Sequence, residues 1–337
     1  MGAILNLTKE QKRFYGVYHE TGVFSNNKYL NWFMSGAPIP PTTKTTLQFD
    51  VKLNKKRYAQ LKKRSEPGIV LTKNKFARVT IKPGIISDST PIDADDYQDM
   101  TAGEVEVLMG GEMVKTPSAM LSMGTATVKD GVESRKELMC SQAIATGLIT
   151  SSDGTVTWDY NLPAVLNVTW DSNTGITKII SDGIREFRKR NGKMPNEIEI
   201  GAEIADNMLN DDKYLRQAEV FGYNIATAQA EEKALIIGTV LGQLLKEMDM
   251  VFDENGVSVV ADDQIRFLDT SAFRPGWAGI AIKDPVTKAP AMLAADVFVS
   301  MDEGTESEPT ANLFAKSAFF PVIVNTNAIL RYKVTIA

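Results

Sequence analysis

The sequence predicts an α+β protein whose extended segments open and close the chain around a helical middle. Three observations predict it. Leu47, Phe49, Val51 and Leu53 stand at every second position, which gives a strand one apolar face, and Ala77, Val79 and Ile81 carry a return strand toward Pro83-Gly84. Ile176, Ile179, Ile180, Ile184 and Phe187 follow the spacing of an amphipathic helix. Near the far end, Pro321-Val322-Ile323-Val324, a turn at Asn325-Thr326-Asn327 and the alternating Leu330, Tyr332, Val334 and Ile336 read as a closing pair of strands. A chain of 337 residues, 43% hydrophobic and 23% charged, can bury one large core or two ordinary ones.

The remaining elements follow in order. Residues 1–43 are polar and aromatic-rich, and Tyr15, Tyr18, Phe24, Tyr29, Trp32 and Phe33 are anchors that need a surface, on their own domain or on a neighbour. Pro38-Ile39-Pro40-Pro41 forbids helix and keeps the chain extended. The two strands of 45–82 enclose a charged excursion, broken by a turn at Ser65-Glu66-Pro67-Gly68. Glu104 to Met113 fits a short helix with Val105, Leu108 and Met109 inward. After Pro117, Ser118 to Gly147 reads as a long helix, with Leu121, Val128, Val132, Met139 and Ala143 near one face and Glu133, Lys136 and Glu137 off it. Gly124 and Gly131 weaken its middle, so two helices end to end are the alternative. Cys140 on this helix reads as a small buried residue.

Leu148-Ile149-Thr150 and Thr155 to Tyr160 flank Ser151-Ser152-Asp153-Gly154, a hairpin signal in which Val156, Trp158 and Tyr160 alternate. Asp171-Ser172-Asn173 should cap the helix that carries the isoleucines. Arg185, Arg188, Lys189 and Arg190 gather toward its end, where the helix dipole favours cations, and Asn191-Gly192 stops it. Glu197 to Ile200 is a short strand and Ala202 to Leu209 a short helix. Helix and strand both fit the apolar run from Leu235 to Leu245. Val257 to Leu268 reads as strands around Asp262-Asp263, and Asp302 to Pro309 as an acidic loop.

Charge is uneven along the chain. The total is -5, yet residues 52–82 carry eleven Lys/Arg against Glu66 alone, about +10, and residues 87–112 carry eight acids and no base, about -8. The basic run contains Lys55, Lys56, Arg57, Lys62, Lys63 and Arg64; the acidic run contains Asp88, Asp93, Asp95, Asp96 and Asp99.

Much chemistry is excluded. One cysteine rules out an internal disulfide and a thiolate-rich metal site, and one histidine, His19, leaves no zinc site and no histidine-based triad. There is no phosphate-binding loop, dinucleotide fingerprint, nucleophile elbow or HExxH. The acidic run lacks the order of an EF-hand. No catalytic residue, metal or cofactor is expected, and no apolar run has the ~18 residues of a membrane helix. The start of the chain has no secretory pattern and Asn6 departs from a myristoylation motif, so a cytosolic origin is expected.

The basic run has three readings. As a nucleic-acid reader it offers only Tyr58 and Phe76 for stacking. As a self-association arm, its positive charge would lie across the acidic run of another copy, with complementarity setting register. Head-to-tail contacts of that kind generate rings and larger closed arrays. As a solvated hairpin it would do little.

The order of parts resembles a known family. Thr45-Thr46-Leu47-Gln48-Phe49-Asp50 follows an aromatic arm; Phe76 to Pro83 follows the charged loop and leads into Asp93-Ala94-Asp95-Asp96. Then come the long helix ending Lys136-Glu137-Leu138-Met139-Cys140-Ser141-Gln142-Ala143, the Gly147-Leu148-Ile149-Thr150 hairpin with Trp158-Asp159-Tyr160, and the closing strands of 320–336. This order is similar to the tailed-phage major capsid proteins of the lambda-type E family, with the HK-ninety-seven-type fold. The resemblance implies an N-terminal arm over 1–43, an extended loop over 44–84, a peripheral domain over 85–195 and 300–337 with a spine helix at 118–147, and an axial domain over 196–299.

It further implies a non-enzymatic shell subunit, assembled in host cytoplasm and found in the virion. Its partners would be copies of itself in hexamers and pentamers, scaffolding and portal proteins, a decoration protein, and packaged DNA held without sequence-specific contact. No membrane is implied. Some relatives cross-link through a lysine, for which Lys62 or Lys63 qualifies by position. An encapsulin-like compartment shell is the alternative on the same fold, and a nucleic-acid-binding protein using 52–64 the alternative from another class.

Overall fold

The computed structural model describes residues 18, 27–52, 76–92, 108–109, 112–113, 117–151, 155–171, 174–211, 214, 236–253, 255–283, 289–302 and 311–336. After a short helix, α1 (Lys28–Met34), the chain runs extended past the prolines into β1 (Leu47–Lys52). β2 (Phe76–Ile81) returns antiparallel to β1, in register from Leu47 opposite Ile81 to Lys52 opposite Phe76. Leu47, Phe49 and Ile81 are buried, as their alternation requires, so the loop is rooted by its apolar face. β3 (Ile86–Ile92) follows.

The expected helix over 104–113 is replaced by two antiparallel strands of two residues each, β4 (Leu108–Met109) and β5 (Glu112–Met113), on either side of Gly110-Gly111. A glycine pair favours a chain reversal over a helical turn, and that preference outweighs the spacing of three apolar residues. The spine helix α2 is one uninterrupted helix of 29 residues, Pro117–Ala145, and proline occupies its first position, where the missing N–H costs nothing. Gly147, with φ of 80°, ends it. β6 (Leu148–Thr150) and β7 (Val156–Asp159) form the expected hairpin, with a bulge between Ile149 and Thr150.

β8 (Leu166–Trp170) precedes α3 (Ile176–Asn191). The cap of α3 differs from expectation. Gly175 is its N-cap, without a side-chain bond, while Asp171 turns the preceding loop by accepting the Thr174 N–H at 2.6 Å. Gly192, left-handed at φ 74°, ends α3 as expected. β9 (Glu197–Ile200) and α4 (Ala202–Leu209) stand where the pattern put them. The ambiguous run resolves as a hairpin, β10 (Ile236–Val240) and β11 (Gln243–Glu247), turned by Leu241 and Gly242, which both have positive φ. Of the strands expected over 257–268, one continuous strand forms, β12 (Gln264–Leu268), with a single bridge between Phe252 and Ser258 before it. Next come β13 (Phe273–Trp277), β14 (Ile280–Lys283), β15 (Pro290–Leu293), β16 (Phe298–Asp302), β17 (Ala311–Ser317), β18 (Phe319–Ile323) and β19 (Ile329–Ile336).

Two layers organise the chain. A mixed six-stranded sheet in the order β10-β11-β9-β12-β19-β8 buries one face under α3 and α4, where Ile180, Ile184, Phe187, Ile198, Phe267 and Leu330 meet. The other layer is built on α2, which packs against β3, β17, β18, β6 and α1. Arm, loop base and spine share one core there, through Phe33, Leu47, Phe49, Ile144, Phe273 and Phe319. The terminal strand completes the six-stranded sheet, pairing β12 on one side and β8 on the other. That sheet therefore takes strands from both sides of the boundaries that the resemblance implies at 195/196 and 299/300.

Candidate inter-subunit surface

The extended loop is held at its root by backbone pairing, by the buried apolar face of β1 and β2, and by an exposed ion pair between Arg78 and Asp50 at 3.1 Å. Such a pair contributes little to stability in water. Lys55, Lys56, Arg57, Lys62, Lys63 and Arg64, expected as contact residues, lie outside the described residues, as do Asp93, Asp95, Asp96 and Asp99 and the acidic loop over 303–309.

Asp88 is described. It stands half-buried on β3, one carboxylate oxygen accepting the Ser89 N–H at 2.8 Å, the other pressed against the backbone of Gly131 on α2. A methyl group at position 131 would overlap that oxygen. Gly131, which reads in the sequence as a weakness of the helix, is what leaves room there for the Asp88 carboxylate. Asp88 and Arg135 line an open cavity of about 330 Å³ between β3, α2 and the β6–β7 hairpin. Arg135 donates to the Thr150 carbonyl at 2.8 Å. Asp88 is thus engaged within its own subunit.

The arm is docked on its own subunit throughout the described part. Tyr18 is buried among Val128, Val132, Val299 and Leu313, its hydroxyl 3.5 Å from Glu133 and its ring 5.2 Å from the Lys129 ammonium. Further along the arm, Glu137 accepts the Tyr29 N–H at 2.9 Å and the Leu30 N–H at 2.5 Å, so a spine carboxylate caps α1. Phe33 stacks on Phe273 with ring centroids 4.7 Å apart. Beyond α1, Ile39 donates to the Pro275 carbonyl and Gly279 to that of Lys44, fastening the extended segment to β13 and the turn after it.

A row of charge that the sequence reading missed crosses the face of the six-stranded sheet opposite the apolar one. Lys246, Glu199, Arg266 and Arg331 are neighbours on adjacent strands. Glu199 and Arg266 are fully buried. Lys28 of the arm reaches this row, 2.8 Å from Glu199 and 3.7 Å from Asp249. Burial works against the Lys28 ammonium, but Glu199 and Asp249 outweigh it and hold its amine above the ordinary lysine value. Arg331 donates to the Ala145 carbonyl at 2.7 Å and to that of Pro163 at 2.9 Å, which puts a cation on the C-terminal end of α2. The available signal was Glu197-Ile198-Glu199-Ile200, whose alternation sets both acids on one face of a strand too deep in the fold to be solvated. Cys140 is fully buried, and burial pushes its thiol well above the ordinary range, which makes it an inert core residue.

No helix among the described residues is long and apolar enough to cross a membrane, and those residues hold no group of three or more acidic, histidine or cysteine ligands.

A root that closes a long basic excursion, a spine helix with an arm laid along it and a separate six-stranded layer define a subunit of the HK-ninety-seven-type capsid fold. Solved capsid structures share it. A prophage capsid protein of Escherichia coli CFT073 aligns over 96% of this chain and 99% of its own, with a TM-score of 0.62 and 14% identity. The mature capsid of bacteriophage PhiM1 aligns over 94% and 89%, at 0.52 and 9%. The capsid of the native GTA particle aligns over 94% and 93%, at 0.51 and 11%. No curated protein sequence matches the chain. The sequence model of the phage major capsid protein E family matches residues 20–334, and the chain belongs to that family. Its role is structural, a capsid shell subunit that assembles with copies of itself in the virion.

Proposed function

We propose that copies of this chain close into an icosahedral shell of hexamers and pentamers around a phage genome, and that the loop over 44–84 is the clamp between neighbouring subunits. The observation that carries this reading is the register of β1 and β2. The chain leaves Lys52 and returns at Phe76 on paired strands, so residues 53–75, with eight Lys/Arg and Glu66, are closed at the root into one basic excursion. Asp93, Asp95, Asp96 and Asp99 of another copy are its proposed partners. Charge complementarity of this kind fixes register and orientation more than it adds affinity. The net charge of -5 suits a shell that holds packaged DNA without adhering to it.

Within the subunit, α2 with β3, β16 and β17 is the proposed peripheral unit and the six-stranded sheet with α3 and α4 the axial one. Scaffolding, portal and decoration proteins are proposed partners, and host cytoplasm the proposed place of assembly. Electron microscopy of the purified chain, with and without a co-expressed scaffold, is the test. Uniform closed shells are expected. Lys62→Glu, Lys63→Glu and Arg64→Glu together should abolish shells and leave a folded subunit. Normal shells from that triple variant would refute the clamp.

A further inference from the structure

We propose that the arm helix α1 is a pH-operated clasp, in which the Glu137 carboxylate of the spine holds the first turn of the helix, acid tightens the hold and alkali loosens it. α1 has seven residues, far below the ~12 at which a helix becomes marginally stable alone. Its N-cap residue, Asn27, makes no side-chain cap bond, and its first turn has no acid of its own. The missing acceptor comes from Glu137, more than a hundred positions away, which takes two of its free N–H groups. The helix therefore exists because it is docked, and undocking means melting. That makes α1 a two-state element.

Glu137 sits deep in this contact, 5% exposed, under Tyr29 and Leu30. Among the described residues the charged and titratable groups around it can be named. Lys28 and Tyr29 face it from α1, and Lys28 is committed to Glu199 and Asp249. Asp249 faces it from the segment after β11. On its own helix stand Glu133, whose carboxylate Lys136 holds at 2.9 Å, and the buried Cys140.

Burial of the charge is the main influence and pushes the Glu137 carboxyl up to about 7 from its ordinary 4.5. The amides of Leu30 and Tyr29 and the charge of Lys28 pull it down, while Asp249 pushes it further up. With α1 undocked, the carboxyl meets water and returns toward its ordinary value. The docked form thus takes up a proton more readily than the undocked one. Docking is strengthened as pH falls from about 7 toward 4.5 and is weakened as pH rises through about 7. A protonated carboxyl still offers acceptor oxygen to the helix, so acid removes the buried charge without removing the cap.

Hydrogen exchange of the unassembled full chain tests this, at pH 5.5 and 8.5, with intrinsic exchange rates divided out and α3 as internal reference. Linkage between the docked and ordinary values gives an opening of residues 28–34 about thirtyfold larger at pH 8.5, relative to α3. Glu137→Gln, neutral at both pH values, should reduce that ratio to below about threefold. Equal opening at both pH values in the unsubstituted chain, or tighter protection at pH 8.5, overturns the proposal, and so does a Gln variant that keeps the full dependence. Should the variant not fold, a carboxyl carbon titration of Glu137 in the unsubstituted chain decides. A midpoint near 7 supports the clasp, and one below about 5 refutes it.

Discussion

The two long helices solve the same problem in opposite ways. α3 buries Ile176, Ile179, Ile180, Ile184 and Phe187 on one side and leaves the other to water, where Arg185 pairs with Asp182 at 3.0 Å and Arg190 with Glu186 at 2.9 Å. It answers to one sheet. α2 is enclosed, and from Lys136 to Ala145 every residue is buried. Several of its polar groups are matched to other segments. Glu137 caps the arm, Gln142 both donates to and accepts from Thr150, and the last carbonyl receives Arg331. A helix with one apolar stripe needs only a greasy surface opposite; one buried all round needs particular partners in particular places.

The largest expected effect lies on α3, where apolar area dominates. Phe187 is fully buried against the six-stranded sheet. Phe187→Ala should cost about 3–5 kcal/mol, through lost burial and the cavity left behind. Chemical denaturation of the unassembled subunit reads it. A loss below about 1 kcal/mol would mean that the layer collapses into the hole, and that the face is less closely packed than its burial implies.

The contrast also sorts what the sequence made legible. α3, the β1–β2 root, the β6–β7 hairpin and the closing strands were readable because each signal is local: a stripe, an alternation, a turn. The run at 235–245 carried an apolar pattern that serves helix and strand alike, and a turn through Leu241 in the left-handed region is not one that propensity favours. At Glu104 to Met113 the glycine pair was the stronger signal. Glu133, Lys136 and Glu137 read only as lying off the apolar face, because nothing near them in sequence shows that the arm lies on top. The contact residues proposed for the clamp depend on a second copy, which one chain's pattern does not contain.

A smaller effect, with an informative sign, is expected on α2. In an isolated helix Gly131→Ala gains up to about 1 kcal/mol from propensity. Here the added methyl meets the Asp88 carboxylate, so the same change should cost about 1–3 kcal/mol. In an Asp88→Ala background the penalty should vanish and the propensity gain return. A double-mutant cycle measures the coupling directly. Additive effects would show that the Asp88 carboxylate does not depend on glycine for its place, and α2 would then resemble α3 more than its enclosure indicates.

The smallest effect belongs to the outward face of α3. Arg185 is 71% exposed in side chain and its partner Asp182 52%, so their pairing is screened by water on most sides. Arg185→Ala should shift subunit stability by no more than about 0.5 kcal/mol in either direction. The same variant read by shell yield asks a different question. α2 has no free face from Lys136 onward on which a neighbour could sit, whereas α3 presents one along its whole length. Unchanged stability with unchanged shells would leave that face to solvent in the assembled particle. Unchanged stability with lost shells would mark it as a second contact between copies, reached by the long helix whose outward side is left exposed among the described residues.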